Sequence, residues 1–503
     1  MAIDLTDLER ALISGGDDRI ALDATTGLNM YGYAASPRGQ DLAFGSSTGS
    51  SISLGAFAAL QTTWASVAAV GTGEAAYRLY AAGMASARER LVRAVGIVDE
   101  ADVIFAASGT DVHLIATLIY AGLDARPLTT IAVPSSETGS GVGLATAAKH
   151  FSKQLAGGGK AEKGASLTAA DRSESISIPV RDAAGFLRPE AQVADDIDRE
   201  IAAATAAGGR ALLIITDVSK TGLIVPGLAT ALALKEKWGV DLELLVDACQ
   251  WRLAPETLRA YLARGLAVAV TGSKFLAGPI FSGALLVPRV AASRFKRIEL
   301  PAAAADYSSR ADWPDGWDAR NALPERANFG LMLRWQAALT ELERFTGLHG
   351  LKIAAIKLRF AEGAQARLKR DAAFEPLNSR RIDRSALGLS LNYDVVETIF
   401  PFLQRHAGRY LSAEQSAAVY RRLAAEAADH VAVRLGQPVA AGTRDGVKVS
   451  ALRLCLSAPL VVAAASGTPA VDKLVADAMT ALDRTAVAIA EIAEASIAVA
   501  AAG

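Results

Sequence analysis

At 503 residues the chain exceeds what one hydrophobic core usually supports, so two lobes are expected. Hydrophobic residues make up 51% and charged residues 21%, a globular rather than disordered composition. With 52 basic and 53 acidic residues the net charge is -1, which excludes a basic field for nucleic acid and favours a small-molecule ligand.

The N-terminal residues 1–7 carry acids where a secretory signal needs lysine or arginine. The only cysteines, Cys249 and Cys455, lie in apolar runs, which speaks against a disulfide scaffold and for a reducing, cytoplasmic setting. Residues 23–32 are dense in Asn, Tyr and Gly. Such a loop either closes over a substrate, with Asn29 as its contact, or is an ordinary turn-rich entry to the fold. Residues 1–85 are expected to pack on the lobes and the site entrance.

From residue 86 short apolar runs alternate with helical patterns. Strands are predicted at 103–107, 128–133, 176–180, 211–215, 242–246, 267–270 and 284–287, with helices at 87–94, 111–120, 143–151, 191–206, 227–237 and 255–262. Alternation of this kind, apolar throughout each strand, predicts a mostly parallel sheet covered on both faces. A long helical pattern at 329–345 and 351–368 bridges to a smaller α+β region, with strands predicted at 387–392 and 447–456 and helices at 413–435 and 470–500. The Ala-rich C-terminus carries Glu491 and Glu494 at helical spacing, so it reads as an amphipathic helix and not a membrane span.

Three segments carry chemistry. An apolar strand ends on Asp247, followed by Cys249 and Gln250. A buried carboxylate needs a partner, either a cation or the N–H groups of a following helix. Lys274 follows Thr271-Gly272-Ser273 on a turn between two buried strands. A lysine there is either structural or a desolvated nucleophile. Ser108-Gly109-Thr110 leaves a strand and opens a helix, which suits an anion or a simple N-cap.

In this order, and with Lys274 followed by Gly-Pro and Ser-Gly-Ala-Leu, these motifs resemble class V aminotransferases, within the fold-type I pyridoxal-phosphate (PLP) enzymes. The resemblance runs over about residues 75–370 and more loosely beyond. It implies an α/β fold with a large PLP-binding domain at 86–325, built on a mostly parallel, seven-stranded-type sheet. An interlobe helix and small α+β domain then fill 326–503. It implies PLP (pyridoxal 5'-phosphate) held as a Schiff base by Lys274, Asp247 against the ring nitrogen, and Gln250 toward the phenolic oxygen. Ser108, Gly109 and Thr110, with Thr271 and Ser273, are the implied phosphate ligands. The segment 218–222 matches one that reaches the ring oxygen, which gives Ser219. Arg453, in an Arg-x-Ser-like strand, is the match for a substrate-carboxylate clamp. Asn328 starts the interlobe helix where the family approaches a neighbouring subunit, and the resemblance implies a homodimer with shared active sites.

Two departures stand out. Ser273 replaces the histidine usual before the lysine. Residues 135–139 lack the usual ring-stacking histidine, leaving Thr138 or a backbone glycine to cover the ring. The implied activity is transamination of an amino acid or related amine. The alternatives are a PLP-dependent C–S or C–C lyase (desulfurase- or kynureninase-like) and a non-catalytic relative that binds PLP or a metabolite. A desulfurase is disfavoured because no cysteine lies on a mobile loop. A dinucleotide site fails because Leu144 stands where the fingerprint at 139–143 needs its last glycine. Gly159-Lys160 lacks a phosphate-loop spacing. The histidines at 113, 150, 349, 406 and 430 show no ligand spacing, so no metal is expected.

Overall fold

The computed structural model describes residues 5–168, 172–390, 392–425 and 431–502, with side chains as far as residue 497. Residues 1–4, 391 and 426–430 (including His430), on which expectations were placed, lie outside the described residues.

The seven predicted strands form one sheet. In spatial order they are Ala101–Ala106, Gly283–Pro288, Ala267–Thr271, Leu242–Ala248, Arg210–Asp217, Leu128–Ala132 and Ser173–Ser177. Six run the same way, and Gly283–Pro288 runs against both of its neighbours. A short strand, Ile224–Val225, folds back on Arg210–Asp217. Alternate side chains enter opposite cores: Ala211, Leu213 and Ile215 pack on one face, Leu212 and Ile214 on the other. Burial on both sides explains the unbroken apolar runs. Each fully buried Leu, Ile or Val side chain contributes about 1.5–3 kcal/mol.

The strand expected at 176–180 is Ser173–Ser177. It is a half-exposed edge strand, and Pro179 cannot donate to a ladder beyond it. The helix expected at 143–151 is shorter, Val142–Thr146, and ends before Ala148, whose φ is 52°.

The second sheet holds Leu42–Phe44, Val433–Arg444, Val447–Cys455, Ile399–His406 and Phe374–Pro376 in that order, with Arg409–Tyr410 beside Ile399–His406. Its first strand belongs to the N-terminal segment and lies parallel to Val433–Arg444. Two expectations fail here. The predicted helix at 413–435 is only Ala413–Ala424, and Val433 begins a strand. That strand pairs through the two-residue turn Asp445-Gly446, both at positive φ, which fits the right-handed twist of a hairpin. The predicted strand at 387–392 is absent among the described residues. Ser385–Leu387 forms one helical turn, stopped by Gly388 at φ 69°.

Phe329–Thr346 and Gly350–Arg370 are the long helices expected between the regions. The first packs against the turn that carries Lys274. A Cβ on Gly272 would stand 2.4 Å from the Ala338 Cβ, and one on Gly278 2.8 Å from it, so only glycine permits this approach. Among the described residues no helix is long and apolar enough to cross a membrane. That includes the C-terminal helix, Thr468–Ala502.

Candidate active site

The carboxyl ends of the parallel strands open on a cavity of ≈ 220 Å³. Ligand sites of open α/β sheets form at such ends. Ser108, Gly109, Thr110, Asp247, Lys274 and Arg453 all line it.

Asp247 sits one residue before the end of its strand and is 6% exposed. Its Oδ1 accepts the Cys249 N–H at 3.0 Å. Its Oδ2 lies 3.3 Å from Nε2 of His113, an electrostatic contact whose alignment falls short of a hydrogen bond. Nδ1 of His113 is 2.7 Å from the Gly109 carbonyl, which only accepts, so that nitrogen carries a proton. Burial alone would raise the Asp247 pKa. Against it, the charges of His113 and Lys274 and the Cys249 N–H hold the carboxyl well below its usual range. Burial pulls His113 down in turn, but Asp247 raises it above the ordinary value. The acid is therefore ionised and oriented.

Lys274 is half-buried, and its ammonium forms no hydrogen bond or ion pair among the described residues. The turn beneath it is pinned by Ala277 N–H to the Lys274 carbonyl and Gly278 N–H to the Gly272 carbonyl, each 2.9 Å. Thr271 spends its hydroxyl proton on the Cys249 carbonyl at 2.6 Å, whereas Ser273 lines the cavity.

Ser108 caps the helix Gly109–Ala121, its Oγ accepting the Asp111 N–H at 3.3 Å and donating to the Asp111 carboxylate. A Cβ on Gly109 would meet Thr271 Cγ2 at 3.0 Å and Cys249 Sγ at 3.2 Å. Burial, with Asp17 nearby, pushes Asp111 up to about 7 against the Ser108 hydrogen bond and Arg19.

Gln250 lines the cavity and donates from Nε2 to the Ser47 carbonyl at 3.0 Å. Its Oε1 is buried without a partner among the described residues. Thr138 lines the wall and donates to the Pro134 carbonyl at 3.3 Å.

Arg453 is 1% exposed and reaches the cavity from the second sheet. Its Nη2 donates to Thr48 Oγ1 at 3.0 Å and the Gln437 carbonyl at 2.6 Å. It forms no ion pair among the described residues. Burial lowers its pKa, yet a guanidinium stays charged.

Two expectations are corrected, those for Ser219 and Asn29. Ser219 does not line the cavity; it donates to Glu137 Oε2 at 2.6 Å, and Glu137 is also held by Arg181 at 3.1 Å and Thr221 at 2.6 Å. Asn29 turns its side chain to the Tyr31 and Tyr33 N–H groups, at 2.9 and 3.2 Å, while Met30 and Tyr31 reach the cavity. Asn328 caps the long helix at Leu331 N–H and donates to the Gly15 carbonyl at 3.0 Å.

Sequence reasoning missed His113, Arg19 and Lys220. His113 lay in view at helical spacing from Gly109. Contrary to the sequence reading, it comes together with Asp247 and Cys249, with ligand atoms within 4.8 Å of one another. The Cys249 thiol is pushed well up by burial and by Asp247, so it stays protonated, which opposes both a metal thiolate and a nucleophilic role.

Lys220 adjoins Arg453, whose Nη1 donates to the Lys220 carbonyl at 3.4 Å. Burial first, then the charges of Arg453 and Lys274, lower it to about 7. Its ammonium therefore persists below neutrality and is lost above. Anion binding in the cavity is expected to weaken as pH rises from 6 to 8, and the inflection to vanish in Lys220→Met. A titration with the same inflection in both proteins would contradict this.

No family model and no curated protein matches the sequence. Solved structures do. The cystine C-S lyase C-DES, in complex with its product cysteine persulfide, is 15% identical with a TM-score of 0.54, covering 88% of this chain and 97% of that one. The fold is fold-type I. The Escherichia coli cysteine desulfurase CsdA gives 16% identity, a TM-score of 0.51, and coverage of 88% and 95%. A glutamate decarboxylase domain from Vibrio parahaemolyticus gives 15%, 0.50, and coverage of 90% and 81%. Likeness at this identity establishes the fold-type I architecture; the chemistry rests on the residues themselves.

Proposed function

We propose that this chain is a PLP-dependent enzyme acting on the amino group of an amino acid or related amine. One observation carries the reading: Lys274, Asp247 and the Ser108-Gly109-Thr110 turn come from three separate strand ends and line one cavity. The residues fit the group. The ionised Asp247 lacks a full partner at Oδ2, and Gln250 Oε1 is an orphan among the described residues. Bound there, PLP would supply an electron sink for the bond broken at the substrate carbon.

The protein's own tasks follow. Asp247, braced by His113, keeps a proton on the ring nitrogen. Thr110 and the helix N-terminus capped by Ser108 take the phosphate, with Ser273 beside them. Lys274 would anchor the cofactor, and its amine would serve as the base that moves a proton at the substrate carbon. Arg453 grips the substrate carboxylate, a role for which its buried, acid-free guanidinium is suited. Thr138 lies on the wall available to cover the ring.

Transamination is the first reading, and C–S or C–C lysis the second, favoured by fold neighbours that include a cystine lyase. The reconstituted protein, given amino acids with and without a 2-oxo acid, separates them. Amino-group exchange supports the aminotransferase, and release of sulfide, ammonia or a carbon fragment the lyase. No turnover by any amine supports a non-catalytic binder. Assembly as a homodimer in the cytoplasm belongs to the same proposal, with light scattering as the check on the dimer. Arg453→Ala is expected to raise KM for carboxylate-bearing substrates about 10- to 100-fold and to spare simple amines. Equal losses on both would remove Arg453 from that role.

A further inference from the structure

Arg19 belongs to the N-terminal segment, far in sequence from the sheet, yet its guanidinium reaches the cavity. Its Nη1 stands 3.2 Å from Thr110 Oγ1 and its Nη2 3.2 Å from Ser108 Oγ, the two hydroxyls flanking Gly109. The side chain is 13% exposed, and three features fix it. Asp17 accepts from Nε at 2.8 Å through Oδ1 and from Nη2 at 2.5 Å through Oδ2. The Phe281 ring lies beneath the guanidinium at 4.6 Å, and Phe151 flanks it at 5.6 Å. Asp17 is itself buried, so the arginine is held by a paired, oriented acid rather than by solvent.

The Ser108 hydroxyl gives its proton to Asp111, which leaves its oxygen as an acceptor for Arg19. An anion at the head of this helix would therefore find few hydroxyl protons and would need a cation. Arg19 occupies that place, beside Tyr31 on the cavity wall. A planar, permanently charged fork suits phosphate oxygens.

We infer that Arg19 is a phosphate ligand: it closes the Ser108-Gly109-Thr110 turn from the N-terminal segment and selects a phosphorylated cofactor over its dephosphorylated form. This rests on the PLP reading above. It also assigns the N-terminal segment a part in the site through Arg19, where the sequence had pointed to Asn29.

The test compares binding of PLP and of pyridoxal, which lacks the phosphate, to the full-length apo-protein, its Arg19→Ala and its Arg19→Lys variants. Arg19→Ala is expected to weaken PLP binding about 10- to 100-fold while leaving pyridoxal binding within about twofold. Arg19→Lys is expected to fall between, because it keeps charge but loses the fork. Unchanged pyridoxal binding shows that the variants are folded, and the phosphorus resonance of bound PLP is expected to shift in both. Equal PLP affinity in all three proteins would overturn the inference, as would equal losses for the two ligands. So would a loss confined to substrate binding, which would make Arg19 a substrate contact. A wild-type protein that binds neither ligand would overturn the PLP reading and this inference with it.

Discussion

Lys274→Ala is expected to abolish covalent attachment of the cofactor and to lower turnover by about 10²–10⁴-fold, the range for loss of a positioned acid–base group. Fold stability is expected to change little, because the ammonium makes no hydrogen bond or ion pair among the described residues and the turn is held by backbone bonds alone. Noncovalent affinity for PLP is expected to persist, since Asp247 and the Ser108-Gly109-Thr110 turn are untouched. Small exogenous amines should restore part of the lost rate by supplying the missing base. Borohydride labelling with peptide mapping, alongside turnover with and without methylamine, checks these points. Retention of a reducible linkage in the variant would place the anchor elsewhere.

Asp247→Asn keeps shape and removes charge, so its effect isolates the electrostatic role. Turnover is expected to fall about 10²–10³-fold, the size seen when one oriented charge-stabilising group is removed from a catalytic site. His113 offers a second readout. With Asp247 neutral, burial is opposed only by the Gly109 carbonyl and the imidazole pKa should fall from its wild-type position, visible in the ring resonances of the apo-protein. Stability should respond as well. Asp247 has a depressed folded pKa, so its contribution is full above about 3.9 and is lost as pH falls through the folded value. His113 is raised, so its contribution is full below about 6.5 and is lost as pH climbs through its folded value. The pair therefore stabilises most between these limits, and thermal unfolding of wild type against Asp247→Asn across pH 3–8 should show a difference that peaks there. A constant difference would mean the two groups are not coupled.

Much of this architecture is written in local patterns. The runs at 242–246 and 267–270 are apolar on both faces because both faces are buried, which made the large sheet readable without a partner sequence. The end of the first run marked where Asp247 would emerge, and the Thr271-Gly272-Ser273 turn after the second marked Lys274. The small sheet was less legible. Ile399–His406 is interrupted by Pro401, and the Ala-rich approach to Val433 mimics a helix, although Asp445-Gly446 was a hairpin signal available in the sequence. The misplaced site residues share a cause. Ser219 and Asn29 were chosen for what they could donate, while tertiary contacts spent those groups on Glu137 and on a local turn. Arg19 comes from a distant element, and only the folded arrangement joins it to Ser108 and joins His113, one turn along the helix from Gly109, to Asp247.

The most direct measurement is the visible spectrum of the purified protein after incubation with PLP, before and after borohydride, followed by mapping of the reduced lysine. The account predicts a yellow protein that is bleached by borohydride, with the label on Lys274. A protein that stays colourless with PLP, or a label on Lys220 or a surface lysine, would contradict it.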